Sequence, residues 1–389
     1  MGHESIGSSF FLIFTGAAVL ATVALYTRQP LLIAYIVLGA LLGPSGFAFI
    51  NNTDLLADIS KIGIIFLLFL IGLDMQPSNL LHMLKKATFV ALISSVIFAA
   101  LGYSVGILFG YSSEESLVLG IGMMFSSTII GIKLLPTTVL HHRHTGELVV
   151  GLLLLQDLIA IFVLLVLYTN ESGDANIGSY IKAALSLPLL IGASAIFVKY
   201  LLLKLIQKFD RFQEFIFLLA IGWCLGMAEA AELLGLSAEI GAFLAGITIA
   251  TSPIAQYIAV SLKPLRDFFL ILFFFSIGAG FNLELLPQVI LPSALLAIIL
   301  IALKPIVFRV LLTRISETRE LAWEIGFRLG QNSEFSLLIA YIASSIALIG
   351  EQASHVIQAT AIISFILSSY LVVFRYPTPI AVSDRLRRD

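Results

Sequence analysis

The stretch LLLLQDLIAIFVLLVL, residues 152–167, is apolar at fourteen of its sixteen positions and holds Gln156 and Asp157 side by side. A charge at the centre of a bilayer costs about 2.5–3.5 kcal/mol on insertion scales, so an acid kept there needs a reason. One reason is structural, a hydrogen bond to a neighbouring helix. The other is chemical. A carboxyl can hold a proton and a monovalent cation by turns, and Gln156 beside it adds a carbonyl ligand without adding a second charge.

Two further clusters suit the same chemistry. GMMFSSTIIGIK interrupts an apolar run with Ser126, Ser127 and Thr128 between flanking glycines. GFRLGQNSEFSLL interrupts another with Gly330, Gln331, Asn332, Ser333 and Glu334. Hydroxyls can bond back to their own helix and aid close packing. Five successive small or polar residues at membrane depth instead point to a cavity lining. A helix broken there would expose half-helix ends, whose N–H and C=O groups can face an ion. Lys304, in IIALIALKPIVFRVLL, is the other charge in mid-span. It either snorkels to the interface or takes an acid partner, for which Asp157 and Glu334 are the candidates.

These residues need membrane helices to hold them. Of 389 residues, 59% are hydrophobic and 12% charged, about half the charge of a soluble domain. Apolar spans of about 20 residues recur along the chain, the mark of a helical bundle rather than a membrane barrel. A near-neutral balance gives no sign of a nucleic-acid partner, and the one cysteine, Cys224, excludes an internal disulfide or cysteine-rich metal site. The first apolar run lacks a basic leader and reads as a membrane helix rather than a cleaved signal.

Thirteen helices are expected, at 8–27, 31–49, 57–74, 86–110, 115–138, 147–168, 178–203, 213–233, 237–256, 266–283, 287–312, 322–346 and 353–376. Alternate connections carry Arg28, Lys85, Lys86, Arg143, Lys204, Lys208, Arg211, Lys263, Arg266, Arg314, Arg319, Arg385, Arg387 and Arg388. The other connections are nearly free of basic residues. The positive-inside rule then puts the carboxy terminus in the cytoplasm and the amino terminus outside.

An internal repeat follows from matches at one spacing. Gly72 and Gly278 lie 206 positions apart, as do Gly16 and Gly222, while Gly39 and Gly246 lie 207 apart. MMFSST and LGQNSE align at 206, setting Ser126, Ser127 and Thr128 over Asn332, Ser333 and Glu334. Residues 1–376 then form one transporter domain, with a repeat at 8–168, a linking helix at 178–203, a second repeat at 213–376 and a tail at 377–389. Six helices plus a linker invert the second copy, as in many secondary transporters. The repeat sets Phe98 opposite Lys304.

LLLLQDLIAIF, SSTIIG, GQNSEFSLLIA, GAFLAG and the mid-span Lys304 together resemble the second group of monovalent cation:proton antiporters, in its Kef-type potassium branch, over essentially the whole chain. The resemblance implies an all-α polytopic membrane protein of the sodium/proton antiporter-like fold. It has thirteen helices in two inverted six-helix repeats, with crossed discontinuous helices. It implies a homodimer in the bacterial inner membrane, with a mobile core that carries the site past a fixed dimerisation domain. It implies Asp157 as proton and cation carrier, Gln156 as the neighbouring ligand, Thr128 and Glu334 at the helix crossing, and Lys304 as charge partner. Ser127, Asn332 and Ser333 complete the expected cation site; monovalent cation and proton are the substrates, and no cofactor is expected. The branch usually reads GQGGEF where this chain has GQNSEF, which bears on ion coordination. Its nucleotide-binding regulatory domain is not in these residues, and is expected to be separate or missing.

Potassium/proton exchange is the leading expectation, with sodium/proton exchange as its rival. A gated cation channel or efflux pore would need a continuous selectivity filter, and none is visible. An intramembrane enzyme would need a His–Glu zinc motif or paired aspartates. HHRHTGE suits a solvated loop, a pH sensor or a metal site. Glu324 and Arg328 are spaced to pair along a helix. Glu229, Glu232 and Glu239 gather at helix ends as a cation funnel or a solvated rim. Lys61 and Asp74, near opposite ends of the third helix, need no function.

Overall fold

The computed structural model describes residues 6–27, 29–50, 53–74, 77–135, 144–171, 177–209, 211–236, 238–250, 252 and 254–378. His141, His142, Arg143, Arg28 and the tail with Arg385, Arg387 and Arg388 lie outside them. So do the side chains of Lys61, Asp74, Lys85, Lys86 and Glu239. Seven helices among the described residues are long and apolar enough to cross a membrane. They are Gly7–Tyr26, Ala87–Leu108, His144–Leu164, Ser186–Lys208, Gln213–Leu233, Leu283–Arg314 and Glu351–Arg375, and three shorter apolar helices accompany them. The protein is an all-helical integral membrane protein.

The chain divides into two compact units, each gathered from separated segments. The first comprises Met1–Asn51, Met83–Ala160 and Ile277–Asp389. It holds α1 (Ile6–Tyr26), α2 (Leu31–Leu42), most of α4 (Pro77–Leu108), α5 (Ser113–Met123) and α6 (Thr128–Lys133). The front of α7 (His144–Glu171) belongs to it, as do α13 (Leu286–Arg314), α14 (Arg319–Arg328), α15 (Glu334–Ser345) and α16 (Glu351–Arg375). Within this unit α16 packs on α13, α15 and α5. Its core is aromatic and aliphatic, with Phe98, Phe125, Phe308, Phe335 and Phe365 fully buried.

The second unit comprises Asn52–His82 and Ile161–Ser276. It holds α3 (Thr53–Asp74), α8 (Ile177–Phe197), a π-helical turn at Val198–Leu202, α9 (Leu203–Lys208), α10 (Gln213–Leu233) and α11 (Ala238–Ala250). α12 (Ile254–Ala279) lies mostly within it. α3 and α11 touch backbone to backbone: a Cβ on Gly246 would strike the Phe69 carbonyl, and one on Gly72 the Phe243 carbonyl. In the first unit, Gly278 meets the Ile36 carbonyl in the same way. Of the glycines singled out by their spacing, Gly72, Gly246 and Gly278 are therefore points of close helix approach, whereas a Cβ on Gly222 would meet nothing within 4 Å.

Most helix bounds lie close to expectation, and α10 coincides with the expected 213–233. Two differ clearly. α2 ends at Leu42, because Gly43–Pro44 opens a turn closed by bonds from Gly46, Phe47 and Ala48 back to residues 41–43. α12 starts at Ile254, twelve residues before the expected 266, and runs through Pro264. Lys263 and Arg266 read as a polar connection in the sequence, but they lie on this helix.

Candidate functional site

The fifth and twelfth expected spans are both interrupted. α5 stops at Met123 and α6 starts at Thr128; α14 stops at Arg328 and α15 starts at Glu334. Serines 206 positions apart precede the two second half-helices. Ser127 Oγ accepts from Ile130 N at 3.1 Å and caps α6. Its counterpart Ser333 accepts from Phe335 N at 3.1 Å and caps α15. A serine before a helix start satisfies one of the otherwise unpaired N–H groups there. Thr128 and Glu334 are then corresponding first residues of the two second half-helices.

The two breaks touch. Ser126 Oγ donates to Leu329 O at 2.8 Å, and Gln331 Nε2 reaches Ser127 O at 3.4 Å. Ser336 Oγ donates to Gly122 O, and Asn332 Nδ2 lies 3.7 Å from Met123 Sδ. Hydroxyls of α16 hold the second break from behind. Ser364 Oγ accepts from Asn332 N at 2.9 Å, and Ser368 Oγ donates to Gln331 Oε1 at 2.9 Å. Ser336, Ser364 and Ser368 escaped the sequence reading, since isolated serines on apolar helices look like ordinary packing residues.

Lys304 is fully buried at the junction. Its Nζ donates to Phe125 O at 2.7 Å, Gln331 O at 2.8 Å and Ser126 Oγ at 3.3 Å. Phe125 and Gln331 are again 206 positions apart. No carboxylate is among its bonded partners, so the acid partner expected for Lys304 is replaced by carbonyls from two broken helices. Backbone carbonyls at such ends lack helical partners and carry partial negative charge. The ammonium also lies 5.3 Å from the ring centroid of Phe98, the residue that the repeat sets opposite it.

Asp157 is fully buried on α7, in the first unit with both breaks. Thr128 Oγ1 lies 3.0 Å from Asp157 Oδ2 and 3.2 Å from Oδ1. Glu334, only 4% exposed, begins α15 in the same unit. Gln156 Oε1 accepts from Ser126 N at 2.9 Å, which leaves its Nε2 buried without a partner. The structure thus brings Gln156, Asp157, Ser127, Thr128, Lys304, Asn332, Ser333 and Glu334 to one unit. It also gives the side-chain oxygens of Gln156, Ser127, Asn332 and Ser333 protein partners: Asn332 Oδ1 accepts from Ser336 Oγ at 3.2 Å.

Away from this site, Arg328 pairs with Glu324 at 2.8 Å as their spacing indicates, and also donates to Leu134 O and Pro377 O. His144 contacts Glu317 at 3.0 Å. Glu229 and Glu232 are exposed.

The family described as sodium/hydrogen exchanger, transmembrane, matches residues 11–374. The iron transporter MagA of Paramagnetospirillum magneticum is 28% identical over 352 residues, 88% of this chain and 79% of that protein. K(+) efflux antiporter 5 of Arabidopsis thaliana is 27% identical over 378 residues, 94% of this chain. The match spans 65% of that antiporter's length. The sodium proton antiporter MjNhaP1 of Methanocaldococcus jannaschii shares the fold, with a TM-score of 0.72 at 16% identity, over 94% of this chain and 95% of that one.

Proposed function

The chain belongs to the transmembrane sodium/hydrogen exchanger family, and we propose that within it the protein exchanges potassium for protons by alternating access at Asp157. The observation that carries this reading is the Thr128 hydroxyl on the fully buried Asp157 carboxylate, beside two helix breaks that touch. A carboxylate so placed gains stability from either a proton or a cation, and each must leave for the other to bind. Broken helices supply polar backbone at membrane depth without exposing it to lipid.

Potassium is favoured by the Gln156–Asp157 pair of the resembled branch and by the similarity to potassium efflux antiporters. The full architecture belongs to the same reading: thirteen spans and two inverted six-helix repeats, a homodimer in a bacterial inner membrane, amino terminus outside. The capped starts of α6 and α15, and the Lys304 contacts to Phe125 and Gln331, support the repeat.

The test is proton flux in proteoliposomes, followed by a pH-sensitive dye on adding potassium, sodium or ferrous iron. Potassium-driven flux that is lost in folded Asp157→Asn is expected. Sodium-driven flux alone would transfer the mechanism to sodium. Flux retained by Asp157→Asn would remove Asp157 from it.

A further inference from the structure

α14 carries Trp323 and Phe327, whose rings stack with centroids 5.6 Å apart and 26° between their planes. Two guanidiniums cover these rings from other helices of the same unit. Arg309, in the last two turns of α13, lies 5.0 Å from the Trp323 centroid. Arg375, the last residue of α16, lies 5.0 Å from the Phe327 centroid. Tyr376 adds a third ring, 5.9 Å from Phe327. Three helices thus meet in one cluster of arginine and aromatic side chains.

The arginines of this cluster differ in their partners. Arg328, 5.6 Å from the Tyr376 centroid, pairs with Glu324. Glu317 contacts His144. Among the described residues, no carboxylate pairs with Arg309 or Arg375. Arg314 and Arg319 are exposed at the ends of α13 and α14 and add positive charge, which exposed Glu320 offsets in part. Arg375 gives an N–H to the Tyr376 hydroxyl, but a guanidinium has five such donors in a planar fork. Ring stacking covers the face of that fork and leaves its edge, which matches a phosphate bidentately.

The neighbouring side chains distinguish one source of phosphate. Arg309 lies between Ile306 and Val310, 44% and 48% exposed, and Arg375 follows Phe374, 62% exposed. Large apolar side chains exposed at the ends of membrane-spanning helices suit acyl chains, and Trp and Tyr are favoured at headgroup level. Basic clusters between membrane helices take anionic headgroups, whereas the ammonium of a zwitterionic headgroup would be repelled by the two arginines.

We propose that this cluster binds anionic phospholipid, with Arg309 and Arg375 recognising headgroup phosphate and the three rings holding the guanidiniums in place. Lipid bound there ties α13, which carries Lys304, to α14, which ends at the second break, and so stabilises this end of the unit. The inference holds whichever cation the protein exchanges.

The test compares wild type, a variant with Arg309→Gln and Arg375→Gln, and a control of equal charge change, Lys208→Gln with Arg211→Gln, in the second unit. Melting temperatures are measured in detergent with added phosphatidylglycerol, phosphatidylcholine or inorganic phosphate. Phosphatidylglycerol is expected to raise the melting temperature of wild type and control by several degrees and that of the arginine variant by much less. Phosphatidylcholine should not separate the three. An equal rise in the arginine variant would overturn the proposal, as would an equal loss in the control. A rise with inorganic phosphate that matches phosphatidylglycerol would assign the cluster to a small anion and overturn the lipid. If the arginine variant does not fold, wild type alone decides: photoreactive phosphatidylglycerol should label peptides within 306–327 or 371–376. Labels found only elsewhere would overturn the proposal.

Discussion

The ammonium of Lys304 lies 2.8 Å from the carbonyl oxygen of Gln331, inside the break between α14 and α15. With Phe125 O and Ser126 Oγ, it has three acceptors for its three N–H bonds. A single cation thus joins two broken helices at corresponding carbonyls. Lys304→Met keeps much of the stem and removes the clamp, leaving two buried carbonyls without this donor. A loss of about 2–4 kcal/mol is expected, from unpaired buried groups at about 1–3 kcal/mol each. Thermal unfolding in detergent measures it, and an unchanged melting temperature would reject the clamp.

Gln156 serves the first break through Ser126 N. Gln156→Met would strand that buried N–H, at a cost of about 1–3 kcal/mol. Gln156→Glu retains an acceptor at the same reach and should melt closer to wild type. Equal melting temperatures for the two variants would show that the bond does not hold the break.

The side chains that set GQNSEF apart face protein partners. Ser333→Ala removes the α15 cap and should cost about 1 kcal/mol. Asn332→Ala loses the Ser336 and Met123 contacts, with a cost of similar size. Neither should alter the order of preference among potassium, sodium and rubidium in dye-quench assays. A reversed preference would place both residues in the cation site.

The α3–α11 approach permits no side chain at Gly246, whose Cβ would enter the Phe69 carbonyl. Gly246→Ala must push two backbones apart, and overpacking of this kind costs about 1–3 kcal/mol or more. Reduced yield of folded protein, with a lower melting temperature, is expected. Gly226→Ala on α10, where a Cβ meets nothing within 4 Å, is the control and should melt like wild type.

Long apolar runs made most helices readable, since length and hydropathy are local properties. Both breaks were readable because polar residues at membrane depth stand out against their neighbours. The start of α12 was hidden: Lys263, Pro264 and Arg266 carry every local signal of a connection, and tertiary context keeps them helical. The partners of Lys304 were hidden for a different reason. A backbone carbonyl has no residue identity, so sequence points a buried lysine toward acids, whereas the breaks supplied carbonyls. At the breaks the 206-residue spacing was informative, since Ser127 and Ser333, that far apart, each accept from a backbone N–H at a helix start.

Charge balance yields the last prediction, exchange of one proton for one monovalent cation with no net charge moved. Asp157 with a proton is neutral, and ionised Asp157 with one bound monovalent cation is neutral too. Lys304 would upset this balance by shedding a proton whenever the cation binds. Its three N–H bonds are matched by acceptors that belong to the fold rather than to the cargo, so its charge should stay constant through the cycle. The membrane potential then does no net work on either loaded form. Proteoliposomes with fixed proton and potassium gradients, and a potential imposed by a third permeant ion, supply the measurement. The gradient ratio at which flux reverses should not move with voltage. A reversal point that shifts as two protons per cation requires would show that a second proton travels. Repeating the measurement in Lys304→Met and Glu334→Gln would then identify the group that carries it.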